Sequence, residues 1–164
     1  MGTGRIRAGL GNLIGNAGEY AVMSELLKQG IIAALAPRNA PAFDILASRD
    51  ERTVRLRVKT KSADVKIWQW VVKKDGAIFR ELTDRGDFTV LVSLGEVGEV
   101  NRYYIVPTRL LDRWLKDEFE RWLRTPGRNG RPHSPDNRKR HIDYEAFAER
   151  LKHYEGAWER LWGD

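Results

Sequence analysis

Apolar and polar positions divide the chain into short segments of distinct period. From Asn12 to about Gln29, the residues Leu13, Ile14, Ala17, Ala21, Ser24 and Leu27 recur at helical spacing, and Gly30 supplies a stop. The run IIAALAP, starting at Ile31, reads as a short buried strand ended by Pro37, and RNAPA as a loop. FDILAS is the next strand, RDER a turn, and TVRLRVKT a strand of strict alternation. In it Val54, Leu56 and Val58 occupy one face, while Arg55, Arg57 and Lys59 occupy the other. Between Ala63 and Asp87, VKIWQWVV has strand composition, KKDG is a turn, and no clear helix emerges.

The second half reads as two strands and two helices. FTVLVSLG, from Phe88, is almost continuously apolar and β-branched, the signature of a buried strand. RYYIVP is another strand. Thr108 is placed to N-cap TRLLDRWLKDEFERWLR, in which Leu110, Leu111, Trp114, Leu115, Phe119, Trp122 and Leu123 make one apolar stripe. Residues 125–141 are a basic Gly/Pro-rich loop. A C-terminal helix is expected over 143–162, capped by Asp143 with Ile142 and Phe147 as a hydrophobic staple. No internal repeat or linker divides residues 1–164, so a single domain is expected.

Charge narrows the partners. The chain has 29 Lys and Arg against 23 Asp and Glu, a formal +6, which favours polyanions through phosphate neutralisation and counterion release. A solvated basic surface with no such partner is the plainer alternative. The absence of Cys excludes disulfides and thiolate chemistry and suits a cytoplasmic setting. No apolar run reaches membrane-spanning length, and the start MGTGRIRAGLGNLIG lacks the long apolar stretch of a signal peptide. That Gly-rich start also lacks a preceding strand and a GK[ST] ending, which argues against a phosphate-binding P-loop. His133, His141 and His153 have no zinc-site spacing.

One constellation could carry chemistry. Glu19 lies on the first helix, Asp44 early on the second strand and Lys59 late on the third. Two carboxylates and an ammonium at one sheet edge could hold Mg²⁺ or Mn²⁺ and direct water at a phosphate, because a hard cation that keeps several waters needs few protein ligands. Lys59 would stabilise charge developing on the phosphate or orient the nucleophile.

GNAGEYAVMSELLKQG, PAFDIL and LRVKTKS together resemble the core of the PD-(D/E)XK, or restriction-endonuclease-like, nuclease superfamily. The resemblance implies an α/β fold with an α-β-β-β-(α)-β core over residues 11–123, a central mixed sheet and C-terminal helices. It implies Glu19, Asp44 and Lys59 as catalytic residues, with Glu19 and Asp44 as ligands of Mg²⁺ (or Mn²⁺). One position departs from the pattern: Arg57 stands where an acid or Gln normally precedes the lysine by two residues. A guanidinium offers no lone pair to a metal and repels it. Arg57 could pair with Asp44 or Glu19 and fill the metal's place, or turn away.

The expected substrate contacts are Arg55, Arg57, Lys61, Trp68 and Gln69 near that strand, and Arg138, Lys139 and Arg140 in the basic loop. The expected function is nucleic-acid binding, DNA first, with metal-dependent endonucleolytic hydrolysis. The alternatives are an inactive DNA-binding or accessory protein of the same fold, and an interaction module whose charge has no nucleic-acid role. The oligomeric state stays open, a homodimer included.

Overall fold

The computed structural model describes residues 10–40, 42–82 and 85–163. The Gly-rich start up to residue 9, and Pro41 within the expected loop, lie outside them. A helix, α1 (Gly11–Lys28), precedes three strands, β1 (Ile32–Leu35), β2 (Ile45–Arg49) and β3 (Arg52–Lys61), joined as an antiparallel meander. β4 (Ile67–Val71) follows, then β5 (Asp87–Ser93), β6 (Arg102–Pro107) and α2 (Thr108–Arg124). The strand β7 (Lys139–Asp143) and a short α3 (Ala148–Leu151) come last. The main sheet has the order β1-β2-β3-β5-β6, with β3 and β5 parallel and every other pair antiparallel. β4 and β7 form a separate two-stranded ribbon. The parallel crossover from β3 to β5 therefore runs through a strand and turns among its described residues, not through a helix.

β3 organises both layers. Val54 and Leu56 are fully buried and pack with Val22 and Leu26 of α1, as the alternation predicts. The helix face that meets them differs from the expected one. Gly18, Val22 and Leu26 are buried, whereas Leu13 and Leu27 are more than half exposed. α1 is apolar on more than one side, so period alone does not select the face. Gly18 does: a Cβ there would lie 1.8 Å from Thr60 Oγ1, so only glycine lets the helix approach β3 this closely.

The cationic face of β3 is not solvated. The β4–β7 ribbon and the turns after β4 give Arg57, Lys59 and Lys61 an aromatic neighbour each, and Phe43, just before β2, gives one to Arg55. Arg55 lies 5.9 Å from the Phe43 ring, Arg57 5.7 Å from Phe79, Lys59 5.4 Å from Trp70 and Lys61 5.3 Å from Trp68. Cation–π contact lets these side chains be covered without losing all electrostatic compensation.

Several expected elements change. β1 is an exposed edge strand, with only Ile31 before it deeply buried. Thr108 is the first helical residue, and its hydroxyl hydrogen-bonds Thr89 at 3.0 Å instead of capping. Part of the basic loop, Lys139 to His141, is strand, because it pairs with β4. The single helix over 143–162 does not form. Asp143 receives the Ala146 N–H at 2.9 Å, but this closes a turn at the end of β7, and α3 has Phe147 as its N-cap. Beyond α3, however, Gly156 takes a φ of 61°, Tyr104 pairs with Glu155 in an isolated bridge, and only a 3-10 turn, Trp158–Leu161, follows.

Candidate active site

Asp44 precedes β2 and is fixed by three backbone contacts. Its N–H donates to Leu56 O at 2.8 Å, its carbonyl accepts from Ala36 N at 2.8 Å, and its Oδ2 accepts from Val58 N at 2.8 Å. With Ile45 opposite Leu56, the next pair outward sets Asp44 beside Arg57, on the face opposite the α1-facing core. Lys59 shares that face. Asp44, Arg57, Lys59, Phe43, Trp70 and Phe79 line one cleft of about 190 Å³. Glu19 reaches this group from α1 through its charge.

The electrostatics link Asp44 with Lys59 and place Glu19 in the field of Asp44. Burial pushes the Asp44 carboxyl above its ordinary value, against the Val58 hydrogen bond and the charges of Arg57 and Lys59. Burial also raises Glu19, and Asp44 raises it further, while Arg38 acts in the opposite sense. Lys59 is lowered by burial and partly restored by Asp44. Two carboxylates that resist ionisation, with a lysine that gives up its proton more readily than usual, form a strained electrostatic arrangement that added positive charge would relieve.

Arg57 does not occupy this position. Its guanidinium is paired with Asp87, its second terminal nitrogen donates to Arg80 O at 2.7 Å, and the residue is 8% exposed. Arg55 joins the same Asp87 at 2.6 Å and donates to Glu81 O at 2.5 Å. Asp87 was missed by sequence reasoning because it opens a strand whose other residues are mostly apolar. The one available signal was its place beside a strand rich in arginine.

Glu19 and Asp44 fit a divalent ion in donor chemistry: both are hard oxygen donors, and their charges oppose each other. Among the described residues no group of three or more His, Cys, Asp or Glu gathers to hold a metal. The fit is thus to an ion that keeps much of its water.

The expected substrate contacts are redistributed. Trp68 is fully buried and donates its indole N–H to Val92 O at 2.9 Å, and Lys61 is 4% exposed with its ammonium on Ser93 Oγ at 2.8 Å. Burial closes Trp68 to a ligand, while Lys61 and Arg57 are almost fully buried with their charged groups engaged by Ser93 and Asp87. Arg55 is committed to Asp87. Arg138 places its guanidinium on Val72 O at 2.7 and 3.0 Å, and Arg140 lies 3.2 Å from the Phe119 ring centre. Gln69 and Lys139 are exposed.

The helix, the meander and the parallel β3–β5 pair make a mixed α/β fold around a central mixed sheet. The chain is similar to the solved structure of Archaeoglobus fulgidus Hjc, a Holliday junction resolvase, at 13% identity and a TM-score of 0.40, covering 79% of this chain and 91% of that one. It is similar also to a bacterial homing endonuclease at 19% identity and a TM-score of 0.41, covering 92% and 96% respectively. No protein-family model matches the sequence. No curated protein matches it either. No helix among the described residues is long and apolar enough to cross a membrane.

Proposed function

We propose that the protein is a divalent-metal-dependent DNA endonuclease of the PD-(D/E)XK type, with Glu19, Asp44 and Lys59 as its catalytic residues. The observation that carries the reading is that Asp44 and Lys59 line one cleft while Glu19, outside its lining, lies in the field of Asp44. Glu19 and Asp44 would hold Mg²⁺ or Mn²⁺, which when bound polarises the phosphate and lowers the pKa of water. Lys59, its proton loosened by burial, orients the attacking water or donates to a phosphate oxygen. The water oxygen bonds to phosphorus as it gives a proton up to solvent, the ester P–O bond breaks, and the departing oxygen takes a proton back from solvent. Asp44, pinned through Val58, keeps its carboxylate fixed throughout.

A second reading, DNA binding without cleavage, is favoured by Arg57 in the place of a third oxygen donor. One experiment separates the two. Wild type and Asp44→Asn are incubated with plasmid and linear DNA in Mg²⁺ or Mn²⁺. Cleavage by the wild type that falls at least about a hundredfold in Asp44→Asn supports the nuclease. Binding without cleavage in either metal assigns the second reading.

A further inference from the structure

The last turns of α2 extend past the core. Leu111, Trp114 and Leu115 are buried, but Phe119 and Trp122 are only partly covered and border a groove of about 260 Å³ against the β4–β7 ribbon. The groove admits one flat ring system and little more, being below the size of a typical small-molecule pocket. Its walls are flat. Phe119 and Trp122 stack with centroids 5.5 Å apart and planes 21° apart, and the Arg140 guanidinium covers Phe119. Trp122 carries the His133 imidazole at 3.9 Å and 17°, so a base that stacks on these rings takes the place of that imidazole or of the Arg140 guanidinium.

Polar groups line the same groove. Gln69 and His141 are direct partners across the ribbon and both line the groove, as does Asn137. The Gln69 carboxamide has no hydrogen-bond partner among the described residues, so its donor and acceptor remain open to a ligand. The one acid at the groove, Glu118, is already ion-paired with Arg121. Lys139 is exposed beside it, and Arg128 and Arg131 are exposed on the neighbouring segment. Stacked aromatic faces, a carboxamide and a surplus of cations describe a site for a base with its phosphate.

We infer that this groove binds an unpaired nucleobase of a single-stranded or branched nucleic acid. The inference rests on the nucleic-acid part of the proposed function and not on cleavage. The groove also explains why the α2 stripe runs two turns beyond what the core needs.

The test uses the full chain in low-salt buffer without divalent metal and an oligothymidylate carrying one 2-aminopurine. Stacking in the groove quenches the 2-aminopurine, and the single strand binds more tightly than a blunt duplex of equal length. Phe119→Leu with Trp122→Leu weakens single-strand binding by roughly tenfold or more, while Trp122→Phe, which keeps an aromatic face, loses much less. Unquenched 2-aminopurine in the wild type, or equal binding of single strand and duplex, overturns the inference. The wild-type measurement decides the matter should the double variant fail to fold. Because no metal is present, a protein that never cuts DNA can still pass, so this outcome and that of the cleavage assay are independent.

Discussion

The guanidinium of Arg57 is paired with Asp87 and not with Asp44, although Asp44 stands beside it on the neighbouring strand. Asp87 opens β5 across the parallel pairing, opposite Arg55, and accepts from both arginines. One buried acid thus holds two cations, and Asp44 keeps the Val58 N–H and the fields of Arg57 and Lys59 without a direct ion pair to Arg57. An arginine that would repel a metal is compatible with the carboxylate pair because β5 supplies its counter-charge from the other side.

Removing that counter-charge should be severe. Asp87 and Arg57 are both below a tenth exposed, and breaking a buried pair from one side costs about 3–5 kcal/mol. Asp87→Asn should therefore lower the urea midpoint strongly, and Asp87→Asn with Arg57→Gln should lose less than the two single effects added. An Asp87→Asn midpoint equal to wild type would show that the pair does not hold Arg57.

Gly18→Ala tests what positions Glu19. The new methyl meets Cβ, Oγ1 and Cγ2 of Thr60 within 2.8 Å, so no rotamer of Thr60 clears it. Overpacking of this kind costs about 1–3 kcal/mol, which outweighs the helix-propensity gain of about 1 kcal/mol. Thermal unfolding should shift down by roughly 2–4 °C per kcal/mol, and adding Thr60→Ala should recover part of the loss. A Gly18→Ala protein as stable as wild type would mean the helix slides freely on β3.

Most of the fold could be read from the sequence where burial writes a period. β3 alternates and β5 is continuously apolar, so both were legible, as were α1 and α2 as helices. Choices made by tertiary contact were not. The buried face of α1 is set by one glycine against Thr60, and β7 exists only through β4. The helix expected from Tyr144 to Leu161 has the right period, but Gly156 and the Glu155 bridge to Tyr104 override it. Glu19, Asp44 and Lys59 were singled out by type and order. The fates of Arg57, Lys61 and Trp68 were hidden, because alternation tells which face a residue shares and not what covers that face.

DNA affinity should respond to exposed cations and ignore the covered ones. Log affinity is expected to fall linearly with log salt, and neutralising Arg128, Arg131 or Lys139 should reduce the slope by about one for each phosphate left without its cation. Arg55, Arg57 and Lys61 hold their charges against Asp87, Ser93 and aromatic rings, so their substitution should leave the slope unchanged in any variant that stays folded. Filter binding across a salt series measures both. A slope insensitive to all three exposed residues places the interface elsewhere.

The raised Asp44 carboxyl makes a signed prediction about pH. Above the unfolded-state value of about 3.9, and up to its higher folded value, the folded protein binds more protons than the unfolded chain. Stability therefore falls as pH rises through that window, and Glu19 acts in the same sense. Lys59 is lowered, so between its folded value and about 10.4 the unfolded chain binds more protons and stability rises with pH. Asp44→Asn keeps an oxygen for Val58 N–H and removes the carboxyl's titration. Its unfolding midpoint should lie no lower than wild type at pH 7, and its stability should fall less as pH rises through the acid window. A variant clearly less stable at pH 7 would mean that the ionised carboxylate stabilises the fold.

Metal affinity separates a displaced site from an accommodated one. Were Arg57 filling the metal's place, Arg57→Gln would improve Mn²⁺ binding sharply by removing a fixed charge. With Arg57 held by Asp87, the gain should be small, within about tenfold, since a partly screened charge is all that leaves. Asp87→Asn should act oppositely: it frees the Arg57 guanidinium to turn toward Asp44 and so weakens Mn²⁺ binding. Asp87→Asn with Arg57→Gln should return affinity toward wild type, because the released cation is gone. Calorimetric titration of folded wild type and the three variants gives the order. Affinity that rises strongly in Arg57→Gln and does not fall in Asp87→Asn would show that the arginine competes with metal in solution, and the inactive DNA-binding reading would then gain the stronger support.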